Sequence, residues 1–189
     1  PQAKNACGLF SYTIKKQQDI SMTNSNSNFT PGAMFRSLLV NSAPAALAWV
    51  RGGVSYPDIS GLVKFFHTPY GGILVEAEIF NLPNINTAGS SNFYAMHIHE
   101  YGNCSADFAK TGGHYGAPGS LHPNHAGDMP PLLASQGYAW MSFYDKRFSI
   151  EDILDRSVVI HQDPDDFKTQ PSGNSGAMIA CGVIRPYRP

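Results

Sequence analysis

The chain is poor in the features that mark several large functional classes. It has three cysteines in 189 residues, Cys7, Cys104 and Cys181. None sits in a C-x-x-C pair, which argues against thiolate zinc knuckles. The net charge is only −1, so no general attraction to nucleic acid or to an acidic membrane is implied. The longest apolar run, residues 43–50, is far short of the roughly 20 residues of a membrane helix. There is no G-x-G-x-x-G fingerprint, no Walker loop and no G-x-S-x-G elbow, the signatures of dinucleotide, phosphate and serine-hydrolase sites. Nor does any unit repeat at a period of roughly 20–50 residues. The chain starts at Pro1 rather than Met, which fits a mature secreted form or a trimmed one.

What is present points to a β-domain. Hydrophobic residues make up 42% of the chain, enough for a core, and 14 prolines, 18 glycines and 12% aromatics suit an all-β fold with many turns. Residues 1–42 read differently. Ser21-Met22-Thr23-Asn24-Ser25-Asn26-Ser27-Asn28 is polar and low in complexity. Up to residue 40, Lys4, Lys15, Lys16 and Arg36 against Asp19 give +3, which leaves −4 on the remainder. The segment is expected to be a partly flexible N-terminal extension, a surface linker or an anchor spacer. Within it, residues 8–14 could make one strand and residues 34–40 could pack on the domain, which is expected over residues 43–189.

From residue 46 the pattern has period two. Strands are expected over residues 46–51, 59–68, 73–80, 93–101, 130–135, 138–147, 156–161 and 177–184. Ser149, with acids behind it and apolar residues spaced by three or four, predicts one helical turn over residues 149–154. Eight short antiparallel strands with long late loops imply a sandwich or barrel.

Five of the seven histidines fall between Asn92 and Asp128: His97, His99, His114, His122 and His125. His97-Ile98-His99 lies in a strand-like run, where side chains at i and i+2 leave one face roughly 6.7 Å apart. Two imidazoles so placed can grip one metal, while Met96 and Ile98 face the core. His114, His122, His125 and Asp128 follow in a Gly/Pro-rich loop and supply four N/O donors, the number a closed zinc site needs. His161 ends another apolar strand and is the remaining candidate donor. A redox-active metal with imidazole ligands is most plausibly copper. His67 ends the second strand without a partner in sequence and reads as a surface or satisfied strand histidine.

These stretches carry a family resemblance. They are His97-Ile98-His99-Glu100-Tyr101-Gly102-Asn103-Cys104, Gly112-Gly113-His114-Tyr115, His122, His125-Ala126-Gly127-Asp128, Val158-Val159-Ile160-His161, Gly173-Asn174-Ser175-Gly176 and Ala180-Cys181-Gly182-Val183-Ile184. Together, over residues 46–184, they resemble copper–zinc superoxide dismutase, most of all its bacterial, secreted branch. The resemblance implies an immunoglobulin-like, eight-stranded Greek-key barrel or sandwich with long metal-binding and electrostatic loops. It implies copper on His97, His99, His114 and His161, zinc on His114, His122, His125 and Asp128, and His114 bridging the two. Asp165 would hydrogen-bond His97 and His122, orienting one histidine of each metal. Cys104 and Cys181 would form a disulfide, which suits an oxidising compartment, so an extracellular, secreted or cell-surface location is expected. Cys7 is then the odd cysteine. The implied reaction is a two-step dismutation of superoxide in which His114 takes up and returns a proton, with His161 a further catalytic ligand. The partner is superoxide, with no nucleic acid and no transmembrane segment, and the protein would be a monomer or homodimer. A cupin would need a glutamate ligand a few residues after the His pair; Glu100 follows His99 directly and points to the other face.

One position departs from the family. Its active members carry an arginine, beside the open copper position, where Gly173-Asn174-Ser175-Gly176-Ala177-Met178 places Met178. A thioether supplies neither charge nor a hydrogen-bond donor, so a weaker attraction for the anion is expected, with Lys168 as a partial substitute. The other reading is a metal-binding or metal-buffering member of the same fold without catalysis.

Overall fold

A computed structural model of the protein describes residues 30–84 and 91–189. The strand expected over residues 8–14 and Cys7 lie outside them. The described elements, in order, are helix α1 (Pro31–Asn41), strands β1 (Ala46–Gly52), β2 (Ser60–His67), β3 (Ile73–Phe80), β4 (Phe93–Tyr94), β5 (Met96–His99), β6 (Leu132–Leu133) and β7 (Ala139–Asp145), helix α2 (Ile150–Ile153), and strands β8 (Ser157–His161) and β9 (Met178–Pro186).

All eight expected strands are there, with one correction. The fourth is divided at Ala95, whose N–H donates to Asp163 O (3.0 Å) and whose carbonyl accepts from His161 N–H (2.9 Å). There the chain changes partner, from β6 on the β4 side to β8 on the β5 side. The larger sheet is antiparallel, in the order β5-β8-β9-β1-β2-β3-β7, and β4 pairs with β6. β6 turns into β7 through Gln136 and Gly137, both at positive φ (53° and 79°). Ser135 and Tyr138 exchange both backbone hydrogen bonds around that turn (2.8 and 3.1 Å), the geometry of a two-residue hairpin. With β4 and β5 counted as one strand, the eight strands close into a Greek-key barrel: β3 pairs with β7 and β5 with β8, each skipping intervening strands.

The interior is what the period-two pattern foretells. Val63 and Phe65 of β2, with Ile73, Val75, Ala77 and Ile79 of β3, enter one core with Met96, Ile98, Val158, Ile160 and Ile184. Two buried residues, Phe66 and Leu74, break the alternation. They pair with each other on the outer face, and Leu74 pairs next with Tyr144. Phe35 of α1 stacks on the Tyr144 ring at 5.1 Å and meets Tyr70 edge-on at 5.9 Å. The segment expected only to pack on the domain is therefore a helix that lands beside this row. Thr30 caps it by accepting from Ala33 N–H, and Pro31 occupies the first turn, where a missing N–H costs nothing. α2 has the expected cap: Ser149 and Asp152 satisfy each other's backbone N–H groups.

Candidate metal centre

β5 is an edge of the larger sheet, and its free edge decides where the site forms. The long loop after Gly102 returns along it. Ile98 N–H donates to Gly127 O (2.9 Å), Tyr115 N–H to Ile98 O (2.8 Å) and Glu100 N–H to Gly113 O (3.0 Å). These bonds set His114 across from His99 and Asp128 across from His97. Gly127 lies so close to β5 that a Cβ there would overlap Ile98 O. β8 pairs with the other edge of β5 and ends at His161. Three separate segments thus deliver their imidazoles to one site on the face of β5 opposite the core side chains of Met96 and Ile98.

The donors fall into two groups that share His114: His97, His99, His114 and His161, and His114, His122, His125 and Asp128, with ligand atoms in each group within 4.8 Å of one another. His97, His99, His122, Asp128 and His161 are buried. Outer partners orient the rings. Asp165 Oδ2 lies 2.9 Å from His97 Nε2, and its Oδ1 lies 2.8 Å from His122 Nε2. His99 Nδ1 is 3.0 Å from Gly112 O and 3.1 Å from Thr111 Oγ1. His161 Nδ1 is 3.2 Å from Ser175 Oγ and 3.4 Å from Gly176 O. Each ring therefore turns its second nitrogen inward.

Those inward nitrogens are a fit test for metal. Among the described residues, His97 Nδ1, His114 Nε2 and His122 Nδ1 are buried without a hydrogen-bond partner. Leaving three such groups unpaired is costly, and coordination is what satisfies them. His99 Nε2 and His161 Nε2 face each other at 3.3 Å, about the separation of two nitrogens bound at ~2.0–2.1 Å to one ion at the tetrahedral angle. In the second group, Asp128 Oδ1 is 2.7 Å from His114 Nδ1, and its Oδ2 is 3.0 Å from His125 Nδ1 and 3.2 Å from His122 Nδ1, the last without hydrogen-bond alignment. All four donors of that group converge on one point.

Electrostatics keep the donors in metal-binding form. Burial, reinforced by neighbouring imidazoles, holds His99 down to about 3 and His161 to about 2, so both are neutral with lone pairs available. Burial likewise lowers His97, against the opposing hydrogen bond to Asp165. For Asp128, burial alone would raise the carboxyl, but the hydrogen bond to His114 and the imidazoles around it bring it down to about 2. Asp165 is lowered too, its burial outweighed by bonds to His97, Phe167 N–H and His122.

A cleft of about 330 Å³ opens over His99, His114 and His161. The rest of its lining is glycine, proline, serine, alanine and Met178, with no lysine or arginine. Lys168, offered above as a substitute cation, does not line it. Met178 Sδ sits 3.6 Å from Thr111 Oγ1, and Met178 packs against Phe108 and Cys181. Cys104 and Cys181 form the disulfide, joining the loop after β5 to β9. A larger hollow, about 520 Å³, opens beside His67 and Lys146 and contains none of the seven donors; His67 is exposed.

Comparison with known proteins agrees with this geometry. The family described as copper/zinc superoxide dismutase (SODC) matches residues 59–184. The chain belongs to the copper/zinc superoxide dismutase family. Its cofactors are copper and zinc. It is 34% identical, over 144 residues, to superoxide dismutase [Cu-Zn] of Caulobacter vibrioides, covering 67% of this chain and 78% of that protein. It is also 25% identical to the copper chaperone for superoxide dismutase of Rattus norvegicus, covering 97% of this chain and 68% of that protein. In structure it is similar to the clock protein EA4, with a TM-score of 0.64 and 26% identity over 77% of this chain and 97% of that one.

The structure brings the seven residues named from the sequence together in two groups, and some of the contacts around them were not foreseen. Thr111, against His99, carried no signal, because a lone threonine in a loop has no spacing to read. Gln170 was missed for the same reason. Its amide accepts from His122 N–H (3.0 Å) and donates to His122 O (2.6 Å). Gly173 was quoted only as part of a motif. A Cβ there would lie 2.6 Å from His122 Nε2 and overlap Asp165 Oδ1.

Proposed function

We propose that this protein disproportionates superoxide, two O₂⁻ and two protons giving O₂ and hydrogen peroxide, at a histidine-bridged copper–zinc centre. His97, His99, His114 and His161 would hold copper, since the group is all imidazole and open to a cleft. His114, His122, His125 and Asp128 would hold zinc, a closed group of three imidazoles and a carboxylate. The observation that carries the reading is His114, whose Nδ1 faces Asp128 while its Nε2 is buried without a protein partner. One ring thereby belongs to both groups.

Copper would supply one-electron redox chemistry and zinc a fixed charge on the shared ring. His99 and His161 keep their Nε2 atoms unprotonated toward the cleft floor. His114 Nε2 is the atom placed to take up a proton and return it to the departing peroxide. Asp165 holds His97 and His122 in one orientation each. Met178, at the cleft wall, leaves the incoming anion without a cationic partner. Losing one pre-placed donor for a charged species costs about 10²-fold in rate, so the turnover is slow for this family.

The test is the superoxide decay rate of protein loaded with one copper and one zinc per chain, against the metal-free protein. A clear excess supports the dismutase. Met178→Arg is expected to raise the rate by about 10²-fold and to make it fall with ionic strength. An unchanged rate and salt dependence would remove the role given to this position.

A second reading, a metal-binding member without turnover, draws on the uncharged cleft and on the likeness to a copper chaperone. Fully loaded protein no faster than the metal-free control would put it first. We further propose that residues 43–189 form the domain and residues 1–42 an extension, of which α1 packs against Tyr70 and Tyr144. Among the described residues no helix is long and apolar enough to cross a membrane. The disulfide supports an oxidising, extracellular setting.

A further inference from the structure

Asp145 ends β7 with its side chain buried. Its carboxylate accepts from Arg147 N–H at 2.7 Å, from Nε at 3.1 Å to each oxygen, and from Nη2 at 2.6 Å. This fixes the guanidinium as a fork. The far edge of the fork reaches the metal loop, where Nη1 donates to His125 O at 3.3 Å and Nη2 to Asp128 O. His125 and Asp128 are two of the four donors of the second group. They form one tight turn: Asp128 N–H donates to His125 O at 3.2 Å, and Asp128 Oδ2 accepts from His125 N–H at 2.9 Å. Arg147 closes that turn from outside while its other side is anchored in the barrel.

We infer that Arg147 is a positioning residue for the zinc site, holding the main chain of His125 and Asp128 in register with His114; this rests on the zinc assignment proposed above. The guanidinium touches no donor atom and acts through the backbone that carries the donors. Only a planar fork can span a carboxylate and two carbonyls at once; a lysine ammonium is a single point of charge. Gln170, in turn, grips both backbone groups of His122. The main chain beneath three of the four donors is thus held by side chains from outside the loop. Loosening one grip lets the donors spread, and a metal held by spread donors leaves faster.

The experiment uses the full chain loaded with copper and zinc and follows zinc transfer to a chromogenic chelator. Arg147→Gln is expected to lower zinc affinity about 10-fold or more, the scale seen when outer partners of ligands are removed, and to leave copper retention unchanged. Arg147→Lys, which keeps the charge beside Asp145, should fall between. Cobalt in the zinc site gives a second readout: its visible absorption bands should shift in Arg147→Gln, reporting altered donor geometry in folded protein. Val63→Ala, a core change remote from the loop, is the control for stability alone. The inference is overturned if Arg147→Gln retains zinc like the parent with unchanged cobalt bands. It is also overturned if Val63→Ala loses zinc as fast for the same drop in melting temperature. Zinc uptake by the parent that survives Asp128→Ala would instead overturn the site assignment itself.

Discussion

The two donor groups meet at one histidine and are built by different means. The all-histidine group stands on strands. His97 and His99 come from β5 and His161 from the end of β8, with Met96, Ile98, Val158 and Ile160 packing beneath. The group with Asp128 stands on a loop, whose main chain is held by Gln170 and Arg147, while Asp165 orients the His122 ring. Rings in both groups have hydrogen-bond partners; what differs is the main chain, which packing fixes in the first group and side-chain bonds to backbone fix in the second. The first group should therefore fail when packing or burial is disturbed, and the second when a single polar contact is lost.

The harshest way to break that contrast is Ile98→Ala. Ile98 is fully buried between the two histidines of β5, and its loss should cost about 2–5 kcal/mol in a denaturant titration. Because its backbone also carries the loop, copper and zinc should both be retained less well. Selective loss of zinc alone would contradict the assignment of the core to the first group.

Acid sharpens the contrast in metal-free protein. His99 and His161 titrate at about 3 and about 2 in the fold, against 6.5 when free. The unfolded chain takes up protons before the folded one, so their contribution is complete above about pH 6.5 and drains away as pH falls toward 3. The slope is about 1.4 kcal/mol per pH unit for each histidine. Asp128, lowered from 3.8 to about 2, contributes stability that is lost only below about pH 4. Urea midpoints that stay flat from pH 6.5 to 5 would show that these imidazoles accept protons in the fold.

Asp165→Asn comes next. It keeps the shape but can no longer accept from both His97 and His122 with full charge, and metal affinity should fall about 10–100-fold. Dialysis against a weak chelator should empty the loop-borne group first; equal loss from both groups would count against the contrast. Thr111→Val is the mildest. Removing the hydroxyl between His99 and Phe108 O (2.8 Å) should cost about 0.5–1.5 kcal/mol. Zinc retention should not move, and a change in it would tie Thr111 to the wrong group.

The same division explains what could be read from the sequence. The eight strands were legible because apolar residues alternate along them, and the donors because histidine is scarce elsewhere in the chain. The break at Ala95 was not, since an alanine in an apolar run gives no sign that its strand is about to change partner. Neither was α1: none of its residues is fully buried, and Phe35 meets the barrel through Tyr70 and Tyr144. Arg147 and Gln170 bind main-chain atoms far along the sequence, and a contact to backbone leaves no pattern in residue type. Met178 was visible because a family motif surrounds it, while the absence of any lysine or arginine from its cleft required the fold.

The Cys104–Cys181 bond closes a ring 77 residues apart in sequence, and five of the seven donors lie inside it: His114, His122, His125, Asp128 and His161. His97 and His99 stand just outside its first cysteine. When part of the barrel opens, those five remain tethered to one another. An ion that slips from one donor then meets the others at an effective concentration set by the ring rather than by the surrounding solution. Recapture competes with escape, and reducing the bond shifts that contest toward escape.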